Sequence, residues 1–140
     1  MSRVFWDTNL FIYLFEDYGE LSERVANLRE RMLARNDQLY TSTLTLGELL
    51  VRPLEAGDAE RAWRYEQVLA STAVLIPFEA AAARTYASLR RDRKIRAPDG
   101  IQLACAAQAR ADLFITNDDR LCDKTIPGIQ FIVSLEKAFL

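Results

Sequence analysis

The chain has 140 residues and is 50% hydrophobic, enough for one compact core and too short for two ordinary domains. Lys and Arg together number 18 against 20 Asp and Glu, so no global cationic field advertises a polyanionic partner, and any nucleic-acid contact must be local or metal-assisted. Histidine is absent, which removes the commonest general base and excludes Ser-His-Asp, Cys-His and histidine-driven cleavage chemistry.

The chain begins with a short apolar run, Val4-Phe5-Trp6, that reads as a strand ending in Asp7, with Thr8-Asn9 turning into a helix from about Leu10. Asp7 arrives long before a signal-peptide core would be complete, and no apolar run reaches membrane-spanning length, so a soluble, cytoplasmic protein is expected. Residues 22–36 read as a second helix with Ser22 as N-cap, carrying Val25, Leu28, Met32 and Leu33 on one face. A strand near 38–41 follows, then a helix over 43–51 ended by Pro53, with Glu48 set among leucines. Asp58 caps the next helix, which carries Trp63, Tyr65 and Leu69.

The third strand is Ala73-Val74-Leu75-Ile76, and an Ala-rich helix extends from Glu79 to about Arg93. Pro98 marks a new helix whose first turn holds Asp99 and whose body is 101–111. Leu113-Phe114-Ile115 and Gln130-Phe131-Ile132-Val133 are the fourth and fifth strands. Strands separated by helices predict an α/β fold, a mainly parallel sheet with helices on both faces, in which functional groups gather outside the carboxyl ends of the strands. The two cysteines, Cys105 and Cys122, are too few for a disulfide framework and cannot complete a zinc site without histidine, so they read as reduced thiols.

Four acids carry the chemical interest. Asp7 ends a strand, and a turn-forming Asp would do the same. Glu48 lies among leucines and either faces solvent or has a partner, and the adjacent Gly47 would be explained by a close approach. Asp99 sits where a helix dipole favours an anion, and capping alone would account for it. Asp118 follows a strand in Ile115-Thr116-Asn117-Asp118-Asp119, where capping explains one acid but not two; Asp119 reads as the surface residue.

The expected topology brings these acids to one edge of the sheet. Carboxylates about 4 Å apart repel by roughly 4 kcal/mol at an effective dielectric near 20, so such a cluster calls for protons or a cation. Oxygen-only ligands favour Mg2+ or Mn2+ over zinc or copper. A divalent ion of this kind acidifies a bound water and offsets charge on a phosphorane, which suits phosphodiester hydrolysis without histidine.

Taken in order, Val4-Phe5-Trp6-Asp7-Thr8-Asn9, Gly47-Glu48-Leu49, Ala97-Pro98-Asp99-Gly100-Ile101-Gln102-Leu103-Ala104 and Phe114-Ile115-Thr116-Asn117-Asp118 resemble the motifs of the PIN-domain ribonucleases, more narrowly the VapC-type toxins of type II toxin–antitoxin systems. The similarity spans essentially the whole chain. It implies a single PIN-like domain over 1–140, a three-layer α/β/α sandwich around a roughly five-stranded, mainly parallel sheet. It also implies an Mg2+- or Mn2+-dependent endoribonuclease. Asp7, Glu48, Asp99 and Asp118 would be its catalytic and metal-holding quartet for one or two ions, and Asn9 and Thr116 its supporting polar positions. Gly100 departs from the alanine more usual after the third acid.

Arg90, Arg91, Arg93, Lys94 and Arg96 are candidate RNA contacts, though cations at a helix end are favourable in themselves. The dense apolar stretch from Phe11 to Phe15, with Trp63 and Tyr65, could serve partner contacts as well as the core. The resemblance implies a cognate antitoxin, a homodimer, and a heterotetramer or larger complex, with no membrane. The competing readings are a phosphoacceptor signalling domain, a PIN-like RNA-processing nuclease, and an inactive RNA-binding module. The first needs an Asp ending the third strand, where Ile76-Pro77-Phe78 supplies none.

Overall fold

The computed structural model describes residues 1–138; the last two positions of the expected 1–140 unit lie outside the described residues. The chain runs β1 (Arg3–Trp6), α1 (Thr8–Phe15), α2 (Glu20–Arg35), β2 (Gln38–Ser42), α3 (Thr43–Glu55), α4 (Ala59–Thr72), β3 (Val74–Ile76), α5 (Ala80–Leu89), α6 (Ala97–Gln108), β4 (Leu113–Thr116), a 3-10 turn (Asp119–Leu121) and β5 (Phe131–Ser134). All strand pairings are parallel, in the order β3-β2-β1-β4-β5. The expected α/β class and five-stranded parallel sheet are therefore present.

Side-chain alternation along β1 explains the layers. Val4 and Trp6 point into a core with Leu10, Phe11, Val25, Leu28, Met32, Leu49 and Leu69 of α1 to α4, while Phe5 points the other way into Leu103, Ala104, Ala106 and Phe114 beside α5 and α6. Phe5 and Phe114 stack at 5.3 Å across the β1–β4 pair. Burial on both faces is why the central strands read as unbroken apolar runs.

Several boundaries differ from the sequence reading, each for a local reason. α1 begins at Thr8 because Asp7 itself is the N-cap, accepting from the Thr8 N–H. Ser22 does not cap α2; its hydroxyl accepts from the Tyr18 N–H and donates to the Glu16 carbonyl, tying down the connection instead. Pro53 does not end α3, which continues to Glu55 with Pro53 buried, its carbonyl taken by the Asp58 N–H at 2.8 Å. The Ala-rich helix stops at Leu89, where Arg90 to Lys94 form turns that release the chain towards α6.

The direction of the chain sets the site. From β1 it winds outward through β2 to β3, then returns to the other side of β1 for β4 and β5. At the β1–β4 boundary α1 departs to one face and the 3-10 turn after β4 to the other, leaving a crevice beyond those strand ends. Asp7 follows β1 and Asp118 follows β4. Gly128 helps close the β4–β5 connection at φ +96°, where an added Cβ would meet the Ala107 backbone oxygen at 3.1 Å. Gly128→Ala is expected to lower unfolding free energy by about 1–3 kcal/mol, seen as a lower urea midpoint at unchanged m-value.

Candidate active site

Asp7, Asn9, Glu48, Asp99 and Asp118 line one cleft of about 400 Å3 with Thr8, Ile12, Val51, Arg52, Pro98 and Gln102. Each acid is placed by a different element. Asp7 is fixed at the end of β1, its N–H bonded to the Ile115 carbonyl of β4. Glu48 stands one turn after Thr45 in α3, Asp99 in the first turn of α6, and Asp118 at the start of the 3-10 turn.

The Asp7 carboxylate accepts from the Thr8 N–H (2.9 Å) and from Thr116 Oγ1 (2.9 Å), and Thr116 Oγ1 in turn accepts from the Asp118 N–H (3.0 Å). One buried threonine thus couples two of the acids. Burial pushes the Asp7 pKa up to about 6; the two hydrogen bonds restrain the shift, and the Asp99 and Glu48 charges add to it. Asp99 is also raised, by burial first and then by Asp118. Asp118 is lowered, because Arg120 Nε and Nη2 clasp its two oxygens, and Nη2 lies 3.9 Å from Asp99.

Beneath the acids lies a buried hydroxyl and amide network that sequence reasoning missed. Thr41 Oγ1 donates to the Trp6 carbonyl (2.9 Å), so the Thr45–Thr41 bond of 2.7 Å takes its proton from Thr45. Thr8 Oγ1 donates to Glu48 (2.6 Å). Both threonine oxygens can then only accept from Gln102 Nε2, at 2.9 and 2.8 Å, while Ser42 donates to Gln102 Oε1. The proton count fixes the amide orientation and leaves every donor directed.

Glu48 resolves both halves of the earlier alternative: it is exposed, and it has a partner in Thr8. Gly47 has open space where its Cβ would be, so the expected close approach is absent. Close approach occurs instead at Gly100, whose Cβ would meet Tyr86 at 3.1 Å, letting α5 press against the start of α6. The signals for the network were faint. Gln102 is one helical turn beyond Asp99 inside an apolar run, and Thr41, Ser42 and Thr45 end a strand and start a helix, where they pass for ordinary capping residues.

The basic segment divides. Arg93, Lys94 and Arg96 line a second cleft with Arg120, Asp123 and Lys124. Arg90 instead donates to Tyr86 Oη (2.7 Å) and lies over its ring, and Arg91 lines a separate depression with Ser88, Leu89 and Ile126. Asp119 is exposed and outside the acidic cleft. Burial pushes the Cys105 thiol up to about 11, which suits a core residue rather than a nucleophile. Phe11 is buried and Ile12 to Phe15 pack on the same core; Tyr65 packs against Phe15 with the rings tilted at 42°, whereas Trp63 stays 64% exposed.

The donor set fits a hard divalent cation. Every candidate ligand is an oxygen, and two carboxylates are raised by burial and mutual repulsion that a cation would relieve. Among the described residues no three acidic or cysteine side chains form a ready-made cage.

A model of the PIN domain matches residues 4–126. The chain belongs to the PIN-domain family. PIN domains are nucleases, which sets the chain among hydrolases acting on nucleic acid. Its fold is similar to that of VapBC2 from Rickettsia felis bound to a promoter DNA fragment, at TM-score 0.74 and 20% identity over 94% of this chain and 97% of that one. A toxin–antitoxin complex from Klebsiella pneumoniae matches at TM-score 0.64 and 26% identity, covering 91% and 95% of the two chains. DNA-bound VapBC from Salmonella typhimurium matches at 0.69 and 24%, covering 96% and 99%. Among curated proteins none shows significant sequence similarity to this PIN domain.

Two measurements test the site's electrostatics. Asp7 holds its proton in the folded chain up to about pH 6 but only to about 3.8 in the unfolded one, so its contribution to stability is full below about pH 4 and lost as pH rises through 6. In chelator above pH 6, Asp7→Asn should therefore stabilise the PIN domain by up to about 3 kcal/mol, with the gain vanishing near pH 4 in calorimetric pH scans. Gln102→Leu should cost about 2 kcal/mol in chemical denaturation, since it strands the Ser42 hydroxyl and withdraws the donor to Thr8 and Thr45.

Proposed function

We propose that this PIN domain is an Mg2+- or Mn2+-dependent endoribonuclease, the toxin half of a VapBC-type pair acting in the cytoplasm. The observation that carries the reading is the cleft itself, where Asp7, Glu48, Asp99 and Asp118 converge at the topological switch point with Asp7 and Asp99 destabilised as anions. Those four side chains would hold one or two divalent ions, which supply Lewis acidity and an acidified water. Thr116 fixes the Asp7 carboxylate, and the Gln102–Thr8 pair fixes that of Glu48. Asn9 adds a polar group to the lining, and Ile12, Val51 and Pro98 add apolar surface.

Arg93, Lys94 and Arg96 stand beside the acids and would draw the ribose-phosphate backbone along the neighbouring cleft. The antitoxin partner and the homodimeric, heterotetrameric or larger assembly are proposed from the solved VapBC relatives. Exposed Val51, Leu54 and Trp63 on α3 and α4 support a docking face beside the cleft. The phosphoacceptor reading has no support here, since β3 is an edge strand ending at Ile76 without a carboxylate.

Purified, antitoxin-free protein should cut cellular RNA with Mg2+ or Mn2+ and stop in chelator, and Asp7→Asn and Asp99→Asn should each slow cutting by about a hundredfold or more. Chelator-insensitive cutting, or full activity in both variants, overturns the reading. A PIN-like processing nuclease would cut equally well but would lack a small neighbouring reading frame for a DNA-binding antitoxin.

A further inference from the structure

Arg120 stands where the acidic and basic clefts meet. Its side chain is 50% exposed, yet the guanidinium is folded back onto the acids. Nε donates to Asp118 Oδ1 at 2.9 Å, Nη2 to Oδ2, and the Arg120 N–H to Oδ1 at 3.1 Å. A carboxylate offers about four acceptor directions, and three are taken here. The open direction is on Oδ2, so a cation there shares that oxygen with the positively charged Nη2, and one held by both oxygens has to displace the guanidinium.

The backbone around it is secured independently, by Leu121 N–H to the Asp118 carbonyl (3.1 Å) and Cys122 N–H to that of Asp119 (3.2 Å). A displaced Arg120 side chain thus remains tethered beside Asp99 and Asp118. The other face it can turn to is the cleft of Arg93, Lys94 and Arg96. Lys124, on the same cleft, is engaged by Asp92 at 2.8 Å. A planar fork that has just released one bidentate oxyanion is suited to take another, a non-bridging pair of phosphate oxygens.

We propose that Arg120 competes with the divalent cation for Asp118 and, once displaced, binds a phosphate of the nucleic-acid strand entering between the two clefts. It would thereby set metal affinity and position substrate through one side chain. The inference rests on the metal-dependent nuclease reading above.

The test measures Mn2+ binding to the purified full chain by calorimetry or the free-ion electron paramagnetic resonance signal, with thermal melts confirming folding. Arg120→Gln should bind Mn2+ about fivefold more tightly, and Arg120→Lys, which keeps charge without the fork, should fall between. At saturating Mn2+, the KM for a short single-stranded RNA should rise about fivefold in Arg120→Gln. Unchanged or weaker Mn2+ binding by Arg120→Gln, where the wild type binds and Asp7→Asn does not, overturns this proposal alone. Tighter Mn2+ binding with unchanged KM overturns the substrate half. A wild-type chain that binds no Mn2+ overturns the metal reading beneath it.

Discussion

The Asp7 carboxylate is the constraint around which the rest is arranged. It sits at the end of the central strand, half-buried, and its hydrogen-bond partners are a hydroxyl, a backbone amide and, at 3.5 Å, the Gln102 side-chain amide, all of them neutral. A carboxylate in that position is held at a cost, which appears as a pKa near 6. The fold tolerates it because both flanking strands are anchored elsewhere. β1 is buried on both faces and paired on both edges, so local electrostatic strain cannot peel it away.

The two sides of the cleft solve the problem of concentrated negative charge differently. On the Asp7–Glu48 side, neutral hydroxyls and one amide do the holding, and every proton in the chain from Gln102 to Glu48 has a defined direction. Such networks are worth little per bond but costly to leave half-made, so they fix geometry more than they stabilise. On the Asp99–Asp118 side, a guanidinium supplies formal charge. The neutral side gives Asp7 no formal counter-charge, while the cationic side has a half-exposed one clasped to Asp118.

This asymmetry explains what could be read in the sequence. Asp7, Asp99 and Asp118 follow strand ends and a proline-marked helix start, positions that the alternation of elements locates without side-chain detail. Glu48 was legible mainly through the family motif, because a glutamate on a leucine-rich helix has no periodicity that distinguishes a site from a solvent-facing residue. Gln102 and Thr45 were not legible at all. Their meaning lies in pairings across 57 and 94 positions of chain, and one polar residue inside an apolar helix predicts only that some partner exists. Pro53 misled for a related reason: a proline near a helix end reads as a stop, yet here the following turn satisfies the carbonyls and the ring is buried. The basic run appeared uniform in sequence, and only the turns after Leu89 separate Arg93, Lys94 and Arg96 from Arg90 and Arg91.

Near-neutral net charge, which argued against a broad polyanion-binding surface, is compatible with local handling of phosphate once the charges are placed. The acids that repel a phosphate chain are gathered in one cleft, and the cations that attract it line the next, with Arg120 forming part of the shared boundary. At physiological ionic strength fields fade over about 8 Å, so an approaching strand senses these neighbouring patches rather than the sum of −2. A balanced composition therefore carries a strong local dipole. The dipole exists because α6 begins directly after the basic turns, placing Arg96 and Asp99 within one helical turn of each other.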